Sequence, residues 1–144
     1  MIWLLDSNVW SALTIDQHAH HAKALEWFDR TPENRSACFC RMTQISFLRL
    51  ISSETIFRED AVSNQEAIAI YWRFRSDPRV GWMNEPPQLE TIWLKEASHR
   101  SPAPKRWMDS YLAAFAILSK AAVATFDRGF RQYESRELKV ELLA

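Results

Sequence analysis

The stretch Ile2-Trp3-Leu4-Leu5-Asp6-Ser7-Asn8 decides how this chain is read. A short continuous apolar run that stops at three polar residues has the pattern of a fully buried strand feeding a turn and then a short helix. A second such run, Ala121–Phe126, stops at Asp127 and is followed by Arg128-Gly129-Phe130. Working outward, Ser36–Cys40, Val80–Met83 (before the Pro86-Pro87 break) and Leu138–Leu143 offer further short strands. Helical patterns lie between them. His18 to Asp29 carries Ala22, Leu25 and Phe28 at helical spacing. Thr43 is placed to cap a helix on which Phe47, Leu50, Ile51 and Glu54 recur. Ser63-Asn64-Gln65-Glu66 reads as a capping box that opens a helix through Arg75, stopped by Asp77-Pro78. Leu89, Ile92, Trp93 and Ala97 outline another helix, and Trp107 to Lys120 a last one, rich in small and apolar residues. Strands alternating with helices predict a single α/β domain over residues 1–144 with a mostly parallel sheet. Gly81 and Gly129, the two glycines, are read as turns.

Three carboxylates stand out by position. Asp6 and Asp127 each follow a strand directly, and open parallel sheets bind ligands beyond the carboxyl ends of strands, where strand order reverses. Asp109 shares a helix face with Leu112, Ala113 and Ala116, a small apolar face that should pack on the sheet and carry the acid inward. A lone Asp at a strand end is more often a cap or a turn residue than a ligand. Three inward acids at one place, however, cannot all ionise without compensation. A hard divalent cation such as Mg²⁺ or Mn²⁺ supplies it, and suits phosphodiester hydrolysis by an activated water.

Bulk properties set limits. With 47% hydrophobic and 25% charged residues over 144 positions, the chain reads as globular. No apolar stretch reaches the roughly 18–20 residues of a membrane span. The N-terminus lacks the basic region of a signal peptide, so a cytoplasmic protein is expected. Cys38 and Cys40, at i and i+2 of a strand-like run, read as reduced thiols, because a disulfide between them would be strained. Eighteen basic residues balance eighteen acidic ones, so any nucleic-acid contact must come from a local patch.

The same residues carry a family resemblance. Leu5-Asp6-Ser7-Asn8-Val9-Trp10 resembles the first motif of the PIN-domain family, a hydrophobic strand running into Asp-x-Asn. Trp107-Met108-Asp109-Ser110-Tyr111-Leu112-Ala113-Ala114 resembles the Asp-Ala-Tyr-Leu-Ala stretch of VapC toxins, and Thr125-Phe126-Asp127-Arg128-Gly129-Phe130 resembles the closing Thr-x-Asp-x-x-Phe motif. The resemblance implies a parallel sheet sandwiched by helices, a Mg²⁺ or Mn²⁺ site and RNA cleavage by the toxin of a VapBC pair. It also implies a VapB-type antitoxin as partner, an RNA substrate and self-association as a homodimer. Asp6, Asp109 and Asp127 match the metal-site positions, and Asn8 a support for Asp6. Many relatives carry a Glu where this chain has Gln44, so that catalytic position keeps a carbonyl oxygen but no charge. Thr43 beside it is assigned to support.

Basic residues near the acids complete the set. Lys105 and Arg106, in a Pro-bounded loop before Asp109, and Arg128, with Arg131, beside Asp127 are read as RNA phosphate contacts; ordinary surface charge is the competing account. His18 and His21 share a helical face but lack a third ligand, so a solvated helix start is preferred. Trp10 and Trp107 are assigned to the core over base stacking. The helix holding Ile68, Ile70, Tyr71, Trp72 and Phe74 is too apolar for one buried face, so part of the excess is assigned to a partner surface; a large core is the competing account. Two rival functions remain: a non-catalytic binding module, and a phosphatase of the haloacid dehalogenase type, which lacks its second Asp because Asn8 stands there.

Overall fold

A computed structural model describes all 144 residues. Five short strands, β1 (Trp3–Leu5), β2 (Ala37–Phe39), β3 (Val80–Trp82), β4 (Ala122–Thr125) and β5 (Val140–Leu142), form one sheet. Its order is β3-β2-β1-β4-β5, and every neighbouring pair is parallel. The helices are α1 (Ser7–Thr14), α2 (His21–Asp29), α3 (Arg41–Ile51), α4 (Glu54–Phe57), α5 (Asn64–Ser76), α6 (Leu89–Ala97) and α7 (Arg106–Ser119). Short 3₁₀ turns occupy Arg58–Asp60 and Arg128–Tyr133. The chain runs from β1 outward to β3, then returns across β1 to lay down β4 and β5. The reversal of strand order therefore falls between β1 and β4.

Strand alternation explains the two cores. Leu4 and Leu5 are both fully buried, yet successive side chains of a strand face opposite ways. Leu5 joins Val9, Trp10, Phe28, Phe39, Phe47 and Tyr71 on the side covered by α1, α2, α3 and α5. There the Trp10 ring stacks on Phe39 at 3.8 Å between centroids, with Phe74 edge-on at 5.1 Å. Leu4 joins Val123, Leu112, Phe115 and Phe130 on the side covered by α6 and α7. Burying each such side chain contributes about 1.5–3 kcal/mol. Ala113, Ala114 and Ala116 on α7 bring that helix close to the sheet. No helix is long and apolar enough to cross a membrane.

Several local readings need correction. α2 begins at His21, not His18, and buries Ala24, Trp27 and Phe28 while Ala22 is exposed and Leu25 is 37% exposed. His18 thus precedes the helix, and its helical pairing with His21 dissolves. Thr43 is not the cap of α3 but its third residue; its Oγ1 accepts the Cys40 N–H at 3.0 Å. Gly81 sits inside β3 and makes no turn. Its lack of a side chain serves space, since a Cβ there would lie 2.3 Å from the Arg35 carbonyl oxygen. Trp10 is core as expected, whereas Trp107 is 53% exposed.

Candidate active site

Asp6 continues the register of β1 by one step, its N–H donating to the Ala124 carbonyl of β4 at 2.9 Å. Its side chain therefore stands at the carboxyl edge of the sheet, on the line where strand order reverses. Thr125, the last residue of β4, donates its hydroxyl to Asp6 Oδ2 at 2.9 Å. Asn8 Nδ2 reaches the same oxygen at 3.3 Å, and Asn8 Oδ1 accepts the Phe126 N–H at 3.2 Å. One asparagine thus ties the end of β1 to the end of β4. Thr125 Oγ1 also accepts the Asp127 N–H at 3.0 Å, which fixes the second acid relative to the first.

Asp127 caps the Arg128–Tyr133 turn, with Oδ1 accepting from Gly129 N–H at 2.9 Å. Its Oδ2 accepts a hydrogen bond from the Lys105 ammonium. The same ammonium lies 3.8 Å from Asp109 Oδ2, one helical turn on. Asp6 and Asp109 line one cleft of about 230 Å³ together with Ser7, Thr43, Ser46, Met108 and Lys105.

The electrostatics follow from this placement. Burial pushes the Asp6 carboxyl above its usual range, with Asp127 adding to the rise and Thr125 opposing it. Burial also pushes Asp109 up to about 6; Lys105 opposes the rise, and the charges of Asp6 and Asp127 add to it. Asp127 is held below the usual carboxylate range, chiefly by its bond from Lys105, and Lys105 is raised in turn.

The candidate residues divide. Asp6, Asp109, Thr43 and Lys105 meet at the cleft, and Asp127 reaches it through Lys105. Gln44 does not line it: its Oε1 accepts from Arg41 Nη1 at 2.7 Å. Arg106 points elsewhere too. Its guanidinium donates to Gln132 and to the Glu96 carbonyl, both at 2.7 Å, and stacks over Tyr133, so it clasps α6 to the Arg128–Tyr133 turn. Arg128 is exposed beside Asp127, while Arg131 pairs with Glu134 at 3.3 Å. Residues missed from the sequence are Thr125, Ser7 and Ser46, whose hydroxyls connect to Asp6 directly or through one another. Ser46 was findable, one turn beyond Thr43 on the same helix face.

The geometry has parallels among known proteins. The sequence pattern of the PIN domain matches residues 3–135. This chain belongs to the PIN-domain family. A relative from Mycobacterium tuberculosis, Ribonuclease VapC41, is 40% identical over 141 residues, covering 95% of this chain and 97% of its own. Ribonuclease VapC39 of the same organism is 30% identical over 145 residues, covering 99% and 100%. The fold of this PIN domain is shared with M. tuberculosis VapC20, described as a sarcin-ricin loop cleaving toxin, at a TM-score of 0.69 and 18% identity over 95% of this chain and 98% of that one. It is likewise shared with VapBC2 from Rickettsia felis, solved bound to a DNA fragment from its promoter, at a TM-score of 0.66 and 16% identity over 99% and 98%.

The acids of this PIN domain can be tested against a divalent cation. As they stand, the three carboxylates do not close into a ready ligand set. Their chemistry nevertheless fits a hard cation: three carboxylates at one strand-order reversal, with a lysine ammonium already seated against two of them.

Proposed function

We propose that the chain is a metal-dependent endoribonuclease, the toxin of a type II toxin–antitoxin pair, acting in the cytoplasm as a single PIN domain over residues 1–144. The observation that carries this reading is the convergence of Asp6 and Asp109 in one cleft with Lys105, whose ammonium also holds Asp127. Asp6, Asp109 and Asp127 would hold Mg²⁺ or Mn²⁺, the last after exchanging its bond from Lys105. Bound there, the ion would supply an activated water and offset the charge that develops on the phosphodiester. The other groups position these acids and the substrate. Asn8 and Thr125 orient Asp6 through the bonds described above, and Thr43 and Ser46 present the wall facing Asp109. Once displaced, Lys105 is within reach of a substrate phosphate, and Arg128 flanks the same edge. Kinship with the VapC ribonucleases supports RNA as substrate and a VapB-type antitoxin as partner.

Incubation with total tRNA in Mn²⁺, in EDTA and with Asp6→Asn tests the reading. Cleavage should require the metal and fall by at least about 100-fold in the variant, since even the residues that merely orient metal ligands commonly cost roughly 10–100-fold when changed. Cleavage indifferent to EDTA and to the substitution would rule the reading out. A second reading, a catalytically weak relative that mainly binds, is favoured by one observation: Gln44 is neutral and bonded to Arg41, so no fourth acid serves the cleft. Absence of Mn²⁺ binding at millimolar concentration, by calorimetry, would select it.

A further inference from the structure

Away from the acids, the carboxyl edge of the sheet carries a second arrangement. Trp82 ends the edge strand β3, half-buried. Two guanidinium groups lie against its ring, Arg41 from the first residue of α3 and Arg75 from the end of α5, each with its carbon 5.0 Å from the ring centroid. Both are held in place by neutral groups. Arg41 donates to Gln44 Oε1, and Arg75 donates to the Tyr71 hydroxyl at 2.6 Å. The indole itself is fixed by its N–H, which donates to Asn84 Oδ1 at 2.9 Å. The ion pairs of the molecule involve neither arginine.

Two guanidinium groups gathered at one ring, neither paired with a carboxylate, concentrate positive charge on a protein of zero net charge. Attraction to the ring holds each guanidinium in place but neutralises neither. A phosphate within reach of these guanidinium groups supplies the missing anion, and the arginine fork matches a phosphate in particular. Position selects which phosphate. Along the sheet edge β3 lies two strands from β1, about 10 Å at the usual spacing. Arg41 is followed directly by Met42 and Thr43, which line the acid cleft.

We propose that Arg41 and Arg75, set by Trp82, bind a phosphodiester of the same RNA strand that enters the acid cleft, a few nucleotides from the scissile bond. This site rests on the ribonuclease reading and deepens it. It also accounts for Gln44, which holds Arg41 in place for the strand.

The test separates binding from cleavage. In the Asp6→Asn background, binding of a fluorescein-labelled, unstructured RNA is followed by anisotropy across a salt titration. Arg41→Gln and Arg75→Gln should each weaken binding several-fold at low salt and lower the slope of log affinity against log salt by about 0.7, the loss of one phosphate contact on a single strand. Arg30→Gln, whose guanidinium pairs with Glu26 at 3.5 Å, is the control for bulk charge and should change neither quantity. Trp82→Ala should weaken binding with charge unaltered; thermal melts show whether it folds, and the two arginine variants decide the matter if it does not. Affinity and slope matching the parent, or a loss no larger than that of Arg30→Gln, would overturn the site. So would variants that bind RNA normally but no longer retain a co-expressed antitoxin, because the surface would then be a protein dock. If the wild type cleaves tRNA while the arginine variants bind normally, this site falls and the ribonuclease reading stands.

Discussion

The environment of Asp109 costs stability at neutral pH. Its carboxyl, raised from 3.8 to about 6, stays protonated in the folded protein over a range where the unfolded chain has lost its proton. The folded state binds more protons there, so stability falls as pH rises through that window. Asp109→Asn removes the penalty. Urea melts in EDTA should show the variant about 1–2 kcal/mol more stable than the parent at about pH 7, with the difference vanishing near about pH 4. A constant difference across that range would mean that packing, not charge, sets it. Lys105 is the counterpart of this cost. Because its ammonium stands where a cation is needed, Lys105→Met should lower the melting temperature in EDTA and enlarge the rise produced by Mn²⁺. Equal falls in both conditions would reduce Lys105 to a structural contact.

At the scale of elements, β3 is the least forgiving. A methyl group on Gly81 would collide with the backbone oxygen of Arg35 and sit 3.0 Å from Cys38 Sγ, and a backbone atom cannot swing aside. Gly81→Ala should therefore cost more than about 2 kcal/mol, read as a lower urea midpoint, and should loosen the Trp82 arrangement next to it. The elements themselves were largely legible. β1 and β4 announced themselves because a buried strand must be apolar on both faces, and Asp6 and Asp127 were visible because they break those runs. What stayed hidden depended on partners distant in sequence. Nothing around Gly81 reveals that Arg35 passes over it. Arg106 looked like a phosphate clamp because its engagement by Glu96 and Gln132 arises only when α6 and the Arg128–Tyr133 turn close on α7. Gln44 was matched to a motif position, but a helix face is set by the true start of α3 at Arg41.

Over the whole molecule, apolar surface is unevenly spread. Ile45, Ile56, Ile68 and Trp72 are 51%, 54%, 52% and 59% exposed, all on α3, α4 and α5, while Ala67 and Tyr71 of α5 are buried. The excess of apolar residues on α5 is thus only partly absorbed by the core, as a partner-binding helix requires. Ile68→Glu with Trp72→Glu should leave stability within about 0.5 kcal/mol of the parent, as surface changes do. On a sizing column the double variant should run as a monomer where the parent self-associates. A parent that is itself monomeric would count against a homodimer on this face.

The placement of β1 between β2 and β4 has one more consequence. Asp6 is synthesised 119 residues before Thr125, whose hydroxyl bonds it, and before the third acid, Asp127. A nascent chain, or a fragment cut before β4, therefore holds Asp6 without the strand that orients it. If the acids are the nuclease centre, abortive translation products lack an assembled site, and activity arrives only as β4 slots in beside β1.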